Sequence, residues 1–413
     1  MYSGYNRAEV RMRVLIADKL PELAESRLVE SGCQVRVDAA AKEQSLLDAI
    51  TSFDPDVLVV RSTRVDKAHI TAGSRLGLVV RAGAGVNTID LGAASCAGVF
   101  VANCPGKNAD AVAELAIGLL VACDRRIPDN VAALREGRWD KGTFSKAEGL
   151  KGRTLGILGT GNIGLAVAQR ARALGMNVAA WSRSLDEATA AEHQLHRCES
   201  PQDVARKSDA LSIHLALTPE TRGFVDDSIF GELRAGAIFL NTSRAEVVDE
   251  DALLRALDTR GISAGLDVFS DEPSGKQGSF EHPIASHPRV YGTHHIGAST
   301  VQAQEAVALE ACRVIEAYVA TSHPANCVNL ARRSRSRHIL VVRHRDRVGV
   351  LAAVLKLVSE ANLNVGAMEN RQFEGGDGAI ARIHVDGAPP AGLAQTLGQL
   401  EHILAVDTVD MES

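Results

Sequence analysis

The run GRTLGILGTGNIGLAVAQRARALGM, residues 152–176, places three glycines between an apolar, strand-like stretch and a stretch with helical spacing. Gly159 permits a tight turn, Gly161 lets a ligand come close to the backbone, and Gly164 allows the helix to pack against the strand. A glycine turn of this kind can be purely structural. Because a strand precedes it and a helix follows it, however, the spacing is typical of a pyrophosphate site at a helix N-terminus. We therefore predict a Rossmann domain that binds NAD or NADP.

The next strand, NVAAW at 177–181, leads into the position that contacts the adenosine ribose in such domains. Domains that use NAD normally carry Asp or Glu there, whereas this chain carries Ser182 followed by Arg183. A hydroxyl beside a guanidinium favours a 2′-phosphate, which a carboxylate would repel. The pair therefore predicts that NADP is accepted. Alternatively, Arg183 stacks on the adenine and NAD is still used.

Short apolar runs alternate with helical stretches on both sides of the glycine turn. The strand-like runs lie at 10–18, 35–38, 56–62, 76–85 and 98–104 before the turn, and at 177–181, 210–217, 237–243, 262–269 and 289–293 after it. Helices are predicted at 20–31, 108–126 and 301–320. Continuous apolar strands between helices indicate parallel sheets covered on both faces. The predicted fold class is α/β, with two Rossmann-like, doubly wound parallel-sheet domains.

The segment 337–413 has a different order of elements. A strand and a helix are followed by two strands around the turn GGDG, by a helix at 391–403 and by a last strand. This β-α-β-β-α-β order over about 75 residues predicts a ferredoxin-like α+β domain. The start of this segment is rich in arginine, which indicates either a solvated linker and strand face or an anion site. These residues are Arg332, Arg333, Arg335, Arg337, Arg343, Arg345 and Arg347.

Composition and charge narrow the classes of partner. The 413 residues carry a formal net charge of −6, which provides no global basic field for nucleic acid or an anionic membrane. No apolar run approaches the roughly 18 residues of a membrane span, and residues 1–13 lack the apolar core of a secretory signal. The 7 cysteines include no CxxC pair, which indicates reduced, buried thiols and neither disulfides nor a metal site. We expect a cytoplasmic protein that binds no metal, nucleic acid or membrane.

Three candidate catalytic residues follow strands of the second α/β run, where open sheets of this type bind ligands. They are Arg244 in NTSRAEVVDE, Glu272 in GLDVFSDEP and His295 in YGTHHIGAST. Hydride transfer at C2 of a 2-hydroxy or 2-keto acid needs a cation for the carboxylate and an acid/base for the C2 oxygen. We assign these two roles to Arg244 and His295, and we expect Glu272 to keep the imidazole charged. The alternatives are that His294 is the catalytic histidine, or that both histidines only pack.

The same stretches resemble the D-2-hydroxyacid dehydrogenase family over roughly residues 13–330, together with VVRSTRV (59–65), RAGAGVNTIDL (81–91) and NCPGKNADAVAELAIGLL (103–120). The family's catalytic Arg, Glu and His correspond to the three residues named above. The resemblance also implies cofactor contacts by Asn162, Ile163, Leu215, Thr242, Ser243, Arg244, Asp267, His295, Gly297 and Ala298. Two positions depart from the family pattern, because Ser182 replaces an acidic residue and His294 replaces proline.

The resemblance further implies a split substrate-binding domain, 1–104 and 295–330, with a cofactor domain, 105–294, inserted into it. The active site is then expected in the cleft between these domains. Besides Arg244 and His295, the expected substrate contacts are Arg61, Ser62, Ala84, Gly85, Val86 and Asn108. Arg61, with Arg64 or Arg81 nearby, is either a phosphate partner or part of a structural ion pair. Proteins of this family also lead us to expect a homodimer or homotetramer.

After a predicted linker at 331–336, residues 337–413 resemble an ACT domain, a small module that senses amino acids. The ligand residues of such domains correspond to His344, Asp346 and Asn364, although Asp346 stands where Asn is usual and Val348 where Pro is usual. Binding of L-serine is one expectation. The other is that the module only pairs subunits through the edges of their sheets.

Three functions remain open at this point. The ACT-like module suits a feedback-controlled biosynthetic enzyme, so reversible oxidation of 3-phosphoglycerate to 3-phosphohydroxypyruvate, the first step of L-serine synthesis, is the leading hypothesis. Reduction of hydroxypyruvate or glyoxylate with NADPH is the alternative that Ser182 and Arg183 favour. A cofactor-sensing binding or corepressor protein is the alternative from another class, and the intact set of Arg, Glu and His argues against it.

Overall fold

The structure is a computed structural model, and it describes residues 11–273, 277–331 and 336–411. The chain divides into two compact units, with the division between Asn329 and Leu330. Three arginines of the predicted linker, Arg332, Arg333 and Arg335, lie outside the described residues, and so does the tail 1–10.

The first sheet of the N-terminal unit has five parallel strands in the order β2-β1-β3-β4-β5. The strands are β1 (Arg13–Ile16), β2 (Gln34–Val37), β3 (Val57–Val60), β4 (Leu78–Arg81) and β5 (Phe100–Asn103). The connecting helices are α1 (Glu22–Glu30), α2 (Glu43–Phe53), α3 (Lys67–Ala72) and α4 (Leu91–Cys96). All four residues of β3, VLVV, are buried, as expected for a strand of a sheet covered on both faces.

The second sheet of the same unit has seven parallel strands in the order β12-β11-β10-β9-β6-β7-β8. Its strands are β6 (Thr154–Leu158), β7 (Asn177–Trp181), β8 (His196–Arg197), β9 (Ala210–Ile213), β10 (Ile238–Asn241), β11 (Ser263–Leu266) and β12 (Val290–Gly292). The helices are α5 (Ala109–Arg125), α6 (Ile127–Arg135), α7 (Lys141–Phe144), α8 (Asn162–Ala173), α9 (Glu187–Glu192), α10 (Pro201–Lys207), α11 (Asp227–Phe230), a short 3₁₀ turn (Ala245–Val247) and α12 (Glu250–Thr259). The strand order reverses between β6 and β9, and such a switch point opens a ligand crevice at the carboxyl ends of the strands.

The chain returns to the first sheet through α13 (Val301–Thr321). Val307 and Ile315 of this helix share one hydrophobic core with Val14 of β1 and Leu78 of β4. The first sheet is therefore covered by residues from both ends of the unit. The segment between β12 and α13, which holds His295, consequently links the two sheets.

The C-terminal unit is an antiparallel sheet in the order β14-β15-β13-β16 with two helices. Its elements are β13 (His338–Arg345), α14 (Val350–Glu360), β14 (Val365–Gln372), β15 (Gly378–Val385), α15 (Leu393–Gly398) and β16 (Ile403–Asp410). Leu340, Val354, Ile383 and Leu397 form its core. The predicted fold class, two parallel α/β sheets followed by a ferredoxin-like α+β domain, is confirmed.

Two local predictions were wrong. The helix predicted at 391–403 is only six residues long, because the chain turns after Gly398 and reaches β16 with His402 at φ +70°. The thiols are not uniformly buried, since Cys96 is exposed at the end of α4 and Cys327 is half-buried. In the described ranges, no helix is long and apolar enough to cross a membrane.

Candidate active site

The glycine turn between β6 and α8 has the shape that a dinucleotide requires. Gly159 has φ +100°, and a Cβ there would lie 2.5 Å from the carbonyl oxygen of His214. A Cβ at Gly164 would clash with the carbonyl of Gly159, so the helix packs on the strand only with glycine at both positions. A Cβ at Gly161 would meet no atom within 4 Å, which leaves that backbone open to a ligand. These residues fit the pyrophosphate of NAD or NADP at the N-terminus of α8.

The neighbouring strand ends supply the other predicted cofactor contacts. Ser182, just after β7, has its hydroxyl 2.7 Å from the hydroxyl of Thr160 in the glycine turn. Arg183 is exposed at the same edge. Thr242 follows β10, and its buried hydroxyl has no hydrogen-bond partner in the part of the chain that the structure describes. Leu215 is half-buried after β9.

Glu272 and His295 form a hydrogen-bonded pair. Glu272 Oε2 lies 2.7 Å from His295 Nδ1, and Glu272 Oε1 accepts the N–H of Phe269 at 3.0 Å. The hydrogen bond to Glu272 raises the pKa of His295 above its ordinary value, against burial and the charge of Arg244. Burial acts to raise the pKa of Glu272, but the hydrogen bonds from His295 and Phe269 outweigh it and lower that pKa. The pair therefore favours a carboxylate beside an imidazolium.

His294 and His295 differ in their hydrogen-bond partners. Both histidines are exposed and line one cavity of about 750 Å³, which Glu272 and Phe280 also line. The carboxylate partner belongs to His295, so the geometry favours His295 as the acid/base.

Asp267 holds the backbone that carries His295. Its carboxylate accepts the hydroxyl of Thr293 at 2.6 Å and the N–H groups of Ile296 and Gly297, both at 2.8 Å. Only 1% of Asp267 is exposed, and a Cβ at Gly297 would lie 2.9 Å from its Oδ2 atom. His295 has φ +51°, a left-handed conformation that non-glycine residues rarely adopt. The contacts of Asp267 stabilise this strained loop, and its predicted contact with the cofactor stays a prediction.

Arg244 brings the third charge to the same place. Its Nη1 donates to the carbonyl of Ser243 at 2.7 Å, and Asn241 Nδ2 donates to the carbonyl of Arg244 at 2.9 Å. A Cβ at Gly85, in the loop after β4, would lie 2.9 Å from Arg244 Nη2. The guanidinium thus extends from the second sheet to the predicted substrate loop of the first.

Two further arginines lie near Arg244. Burial lowers the pKa of Arg81, and the positive charges of Arg244 and Arg61 lower it further. The Nε atom of Arg81 is buried, and among the described residues nothing accepts a hydrogen bond from it. The charges of Arg61 and Arg244 therefore act on the buried Arg81, and an anion bound near Arg81 would relieve this repulsion.

The predicted substrate loop after β3 wraps around a buried aspartate that the sequence analysis missed. Asp18 Oδ2 accepts the N–H groups of Arg61 at 2.6 Å and of Ser62 at 3.0 Å, and Asp18 Oδ1 accepts the Ser62 hydroxyl at 3.1 Å. Burial acts to raise the pKa of Asp18, but these backbone donors lower it overall. Asp18 thus binds the backbone of Arg61 rather than its guanidinium. The only available signal was its position at the end of β1.

The remaining predicted substrate contacts lie at the hinge between the sheets. Ala84 accepts a hydrogen bond from Asn103 Nδ2 at 2.5 Å, and Val86 packs against the core that contains Leu15 and Val79. Asn108 precedes α5, and its buried Oδ1 has no partner within the described ranges. These contacts place the substrate loops beside the start of α5.

The predicted effector residues do not form one cluster within this chain. His344 is buried at one end of the sheet, where Nε2 lies 3.0 Å from Asn370 Oδ1, and Asp346 follows the same strand. Asn364 precedes β14 at the opposite end, since Val365 pairs with Val385 whereas His344 pairs with Ala379. The contribution of Asn370 was missed because only the sheet register places it beside His344.

Comparison with known proteins agrees with this geometry. Residues 117–297 match the model of the D-isomer specific 2-hydroxyacid dehydrogenase NAD-binding domain, and residues 338–402 match that of the ACT domain. The D-3-phosphoglycerate dehydrogenase of Methanocaldococcus jannaschii is 35% identical over 77% of this chain. The chain spans only 60% of the length of that relative.

Two further proteins match this chain over nearly their whole length. The hydroxypyruvate reductase of Thermotoga maritima is 37% identical over 73% of this chain and 96% of its own length. The NAD⁺-bound 3-phosphoglycerate dehydrogenase of Entamoeba histolytica aligns with a TM-score of 0.65 and 25% identity, covering 78% of this chain and 99% of that one. The glycine turn, the grouped strand-end residues and these matches together place the chain in the D-isomer specific 2-hydroxyacid dehydrogenase family.

Proposed function

We propose that this chain is a D-3-phosphoglycerate dehydrogenase that uses NAD(P). It would interconvert 3-phosphoglycerate and 3-phosphohydroxypyruvate as the first step of L-serine synthesis. The observation that carries the proposal is the buried Arg81, on which the positive charges of both Arg61 and Arg244 act, because one substrate carboxylate needs only one guanidinium. A second, dianionic group on the substrate accounts for the other two. The ACT domain and the relatives of this name support the same conclusion.

The grouped side chains account for the reaction. Arg244 holds the substrate carboxylate, which fixes C2 in the cleft. The glycine turn at Gly159 and Gly161 would hold NAD or NADP, which would supply the hydride acceptor for oxidation at C2 and the hydride donor for reduction. His295 takes the proton of the C2 hydroxyl on Nε2, because Nδ1–H is held by Glu272. Glu272 stabilises the imidazolium that forms, and in reduction the same imidazolium returns the proton.

A second candidate has specific support. The chain covers nearly all of a hydroxypyruvate reductase, and the Ser182–Arg183 pair suits NADPH, so reduction of hydroxypyruvate or glyoxylate is the alternative. A corepressor that only senses its cofactor does not require the pairing of Glu272 with His295.

Substitution of Arg61 distinguishes the two substrates. We expect Arg61→Ala to raise KM for 3-phosphohydroxypyruvate about tenfold or more while KM for hydroxypyruvate stays unchanged, since only the former loses a charged hydrogen bond. Arg64→Ala is the matched control, because Arg64 is exposed three residues further along the same loop. An equal effect of Arg61→Ala on both substrates contradicts a phosphate site at this position.

We further infer that NADP is accepted and preferred. Ser182 stands at the ribose edge beside the glycine turn, and Arg183 is exposed and free to approach a 2′-phosphate. Steady-state kcat/KM with both cofactors tests this inference. Ser182→Asp should lower kcat/KM with NADPH about tenfold or more and spare NADH. A strong preference of the unmodified enzyme for NADH would contradict the inferred preference for NADP.

The ACT domain is proposed to bind a small amino acid, with L-serine as the first candidate. The separation of His344 from Asn364 within one chain supports a ligand held between two copies of the domain. Activity and binding heat measured with millimolar L-serine test this role. If L-serine changes neither the activity nor the binding heat, the remaining role for the domain is to pair subunits.

We also propose that the enzyme is a homodimer or homotetramer that works in the cytoplasm. Ile127, Leu134 and Trp139 are 44%, 53% and 83% exposed in and just after α6, and apolar exposure of this extent is typical of an interaction surface. The seven free thiols suit a reducing compartment.

A further inference from the structure

A polar cluster holds the loop that carries Glu272. Glu250 Oε1 accepts the N–H of Ser270 at 3.0 Å, and Glu250 Oε2 accepts the hydroxyl of Ser270. His282 Nε2 lies 3.0 Å from Ser270 Oγ and 3.3 Å from Glu250 Oε2. Only 11% of the His282 side chain is exposed, so these contacts are largely shielded from water.

The hydrogen bonds fix where the protons of this cluster reside. The Glu250 carboxylate only accepts, so Ser270 gives it both its N–H and its hydroxyl proton. The Ser270 oxygen can then accept from His282, which requires the proton of the imidazole to be on Nε2. The Nδ1 atom of His282 is buried, and no described residue offers it a hydrogen bond. A second proton on Nδ1 would be buried without an acceptor, so Nε2 is the nitrogen through which His282 donates to Ser270.

Aromatic packing extends the cluster towards His295. The ring of His282 stacks on Phe280 at 5.4 Å and meets the edge of Phe269 at 5.9 Å. A Cβ at Gly292 would lie 2.9 Å from Cζ of Phe269, so this ring sits directly against the end of β12. Gly292 is three residues before His295.

Two members of the cluster therefore belong to segments that carry catalytic charges, and the third, His282, reaches the end of β12 through Phe269. Glu250 opens α12, six residues after Arg244, and Ser270 precedes Glu272 by two residues. We propose that Glu250, Ser270 and His282 are positioning residues that hold the Glu272 carboxylate against His295. The inference rests on the proposed dehydrogenase function, and none of the three residues touches the substrate in this assignment.

The chemistry of the pair explains why such support matters. The 2.7 Å hydrogen bond between Glu272 and His295 depends on a loop that is exposed at Asp271 and Glu272. Loss of the Ser270 anchor lets this loop drift, and a displacement of about 1 Å in such a contact costs orders of magnitude in rate. The charged and titratable groups facing His295 are Glu272, Asp267 and Arg244, so its titration reports the position of the Glu272 carboxylate.

Two substitutions of His282 test the proposal. The amide nitrogen of Gln can replace Nε2–H, whereas the shorter Asn cannot reach Ser270. We expect His282→Asn to lower kcat about tenfold or more with KM for the cofactor unchanged, and His282→Gln to recover most of that loss. His287→Asn is the matched control, because His287 lies in the same segment but contacts Asp258 instead of the loop.

The pKa of His295, followed by NMR of its ring in the same variants, provides a readout that does not need turnover. It should fall by about half a unit or more in His282→Asn and stay constant in His287→Asn. If His282→Asn does not fold, Ser270→Ala, which removes one hydroxyl, takes its place with the same expectations. A wild-type kcat and His295 pKa in the folded variant, or a His282→Gln enzyme as impaired as His282→Asn, would overturn the inference. An unmodified enzyme without turnover on any 2-keto acid would instead refute the proposed function, while the NMR titration would still decide this inference.

Discussion

The charge of His295 depends chiefly on the Glu272 carboxylate, and this dependence makes the reaction sensitive to pH. The hydrogen bond that His295 donates to Glu272 raises the pKa of His295, so protonated His295 persists to higher pH than an ordinary imidazole. Reduction needs the protonated form and is lost as pH rises through this pKa. We expect Glu272→Gln to move that alkaline limb of kcat/KM downwards by about one pH unit. A limb that stays in place contradicts the assigned role of Glu272.

We expect substitutions of the two adjacent histidines to differ in their effect on kcat. We expect His295→Ala to lower kcat by at least about 10²-fold, because the C2 oxygen loses its proton partner. His294→Ala is the matched control, since that side chain lies outside the pair with Glu272. Rates for both variants at saturating substrate separate them, and near-normal turnover of His295→Ala would transfer the role to His294.

Among single residues, the sequence predicted the functional side chains that lie just after a strand of the sheet. Arg244, Glu272 and His295 each come after a strand, so their meeting could be expected. Asp18 and His282 could not, because their importance depends on backbone N–H groups and loops brought to them by packing. The contacts of Asp267 with the His295 loop were missed for the same reason.

Among the helices, α13 carries a buried carboxylate, Glu310, that binds the segment after the helix and the segment before α5. Glu310 accepts hydrogen bonds from Arg313 Nη2 at 2.6 Å and from Asn326 Nδ2 at 2.7 Å, and Lys107 is within 3.4 Å. Hydrogen bonding by Arg313, followed by that of Asn326, lowers the pKa of Glu310 to about 2. Because this folded-state pKa is depressed, the stability it contributes is present above the ordinary pKa and is lost as pH falls towards about 2.

Glu310→Gln tests this anchor. We expect the variant to lose about 1 to 3 kcal/mol of unfolding free energy at pH 7, and the difference to shrink as the pH falls below 4. Urea unfolding at both pH values measures it. Glu305→Gln, at an exposed position of the same helix, should unfold like the parent. A constant difference at all pH values would show that the charge of Glu310 is not responsible.

Most elements could be predicted because their apolar runs are continuous and bounded by glycine or polar residues. The strand runs at 177–181 and 210–217 correspond to β7 and β9 in this way. The helix at 391–403 was overestimated because its apolar spacing continues past Gly398, whereas the chain must turn to pair β16 with β13. Strand pairing thus outweighed helical spacing at that point.

At the scale of the whole molecule, the exposed apolar residues in and just after α6 predict self-association. We expect Trp139→Glu to shift the protein from an oligomer towards the monomer, because burying a charge in place of an indole opposes association. Sedimentation velocity measures the change. Val29→Glu, at an exposed position of α1 that is 53% accessible, is the control and should leave the oligomer intact. A parent protein that sediments as a monomer would contradict the predicted self-association.

The arrangement of the whole molecule was predictable for the two α/β sheets and only partly for the C-terminal unit. The order of its strands followed from the sequence pattern, but the separation of His344 from Asn364 did not. Separation along the chain gives no register, and register decides which residues of β13 and β14 lie at the same end of the sheet.

The proposed substrate carries two anionic groups, and comparison with the acid that lacks the phosphate shows whether the enzyme recognises both. The measurement is kcat/KM of the full chain for 3-phosphohydroxypyruvate and for hydroxypyruvate, each with NADH and with NADPH. Because the positive charges of Arg61 and Arg244 both act on the buried Arg81, we expect the phosphorylated acid to be reduced at least about tenfold more efficiently. Equal efficiency, or faster reduction of hydroxypyruvate, would contradict the account.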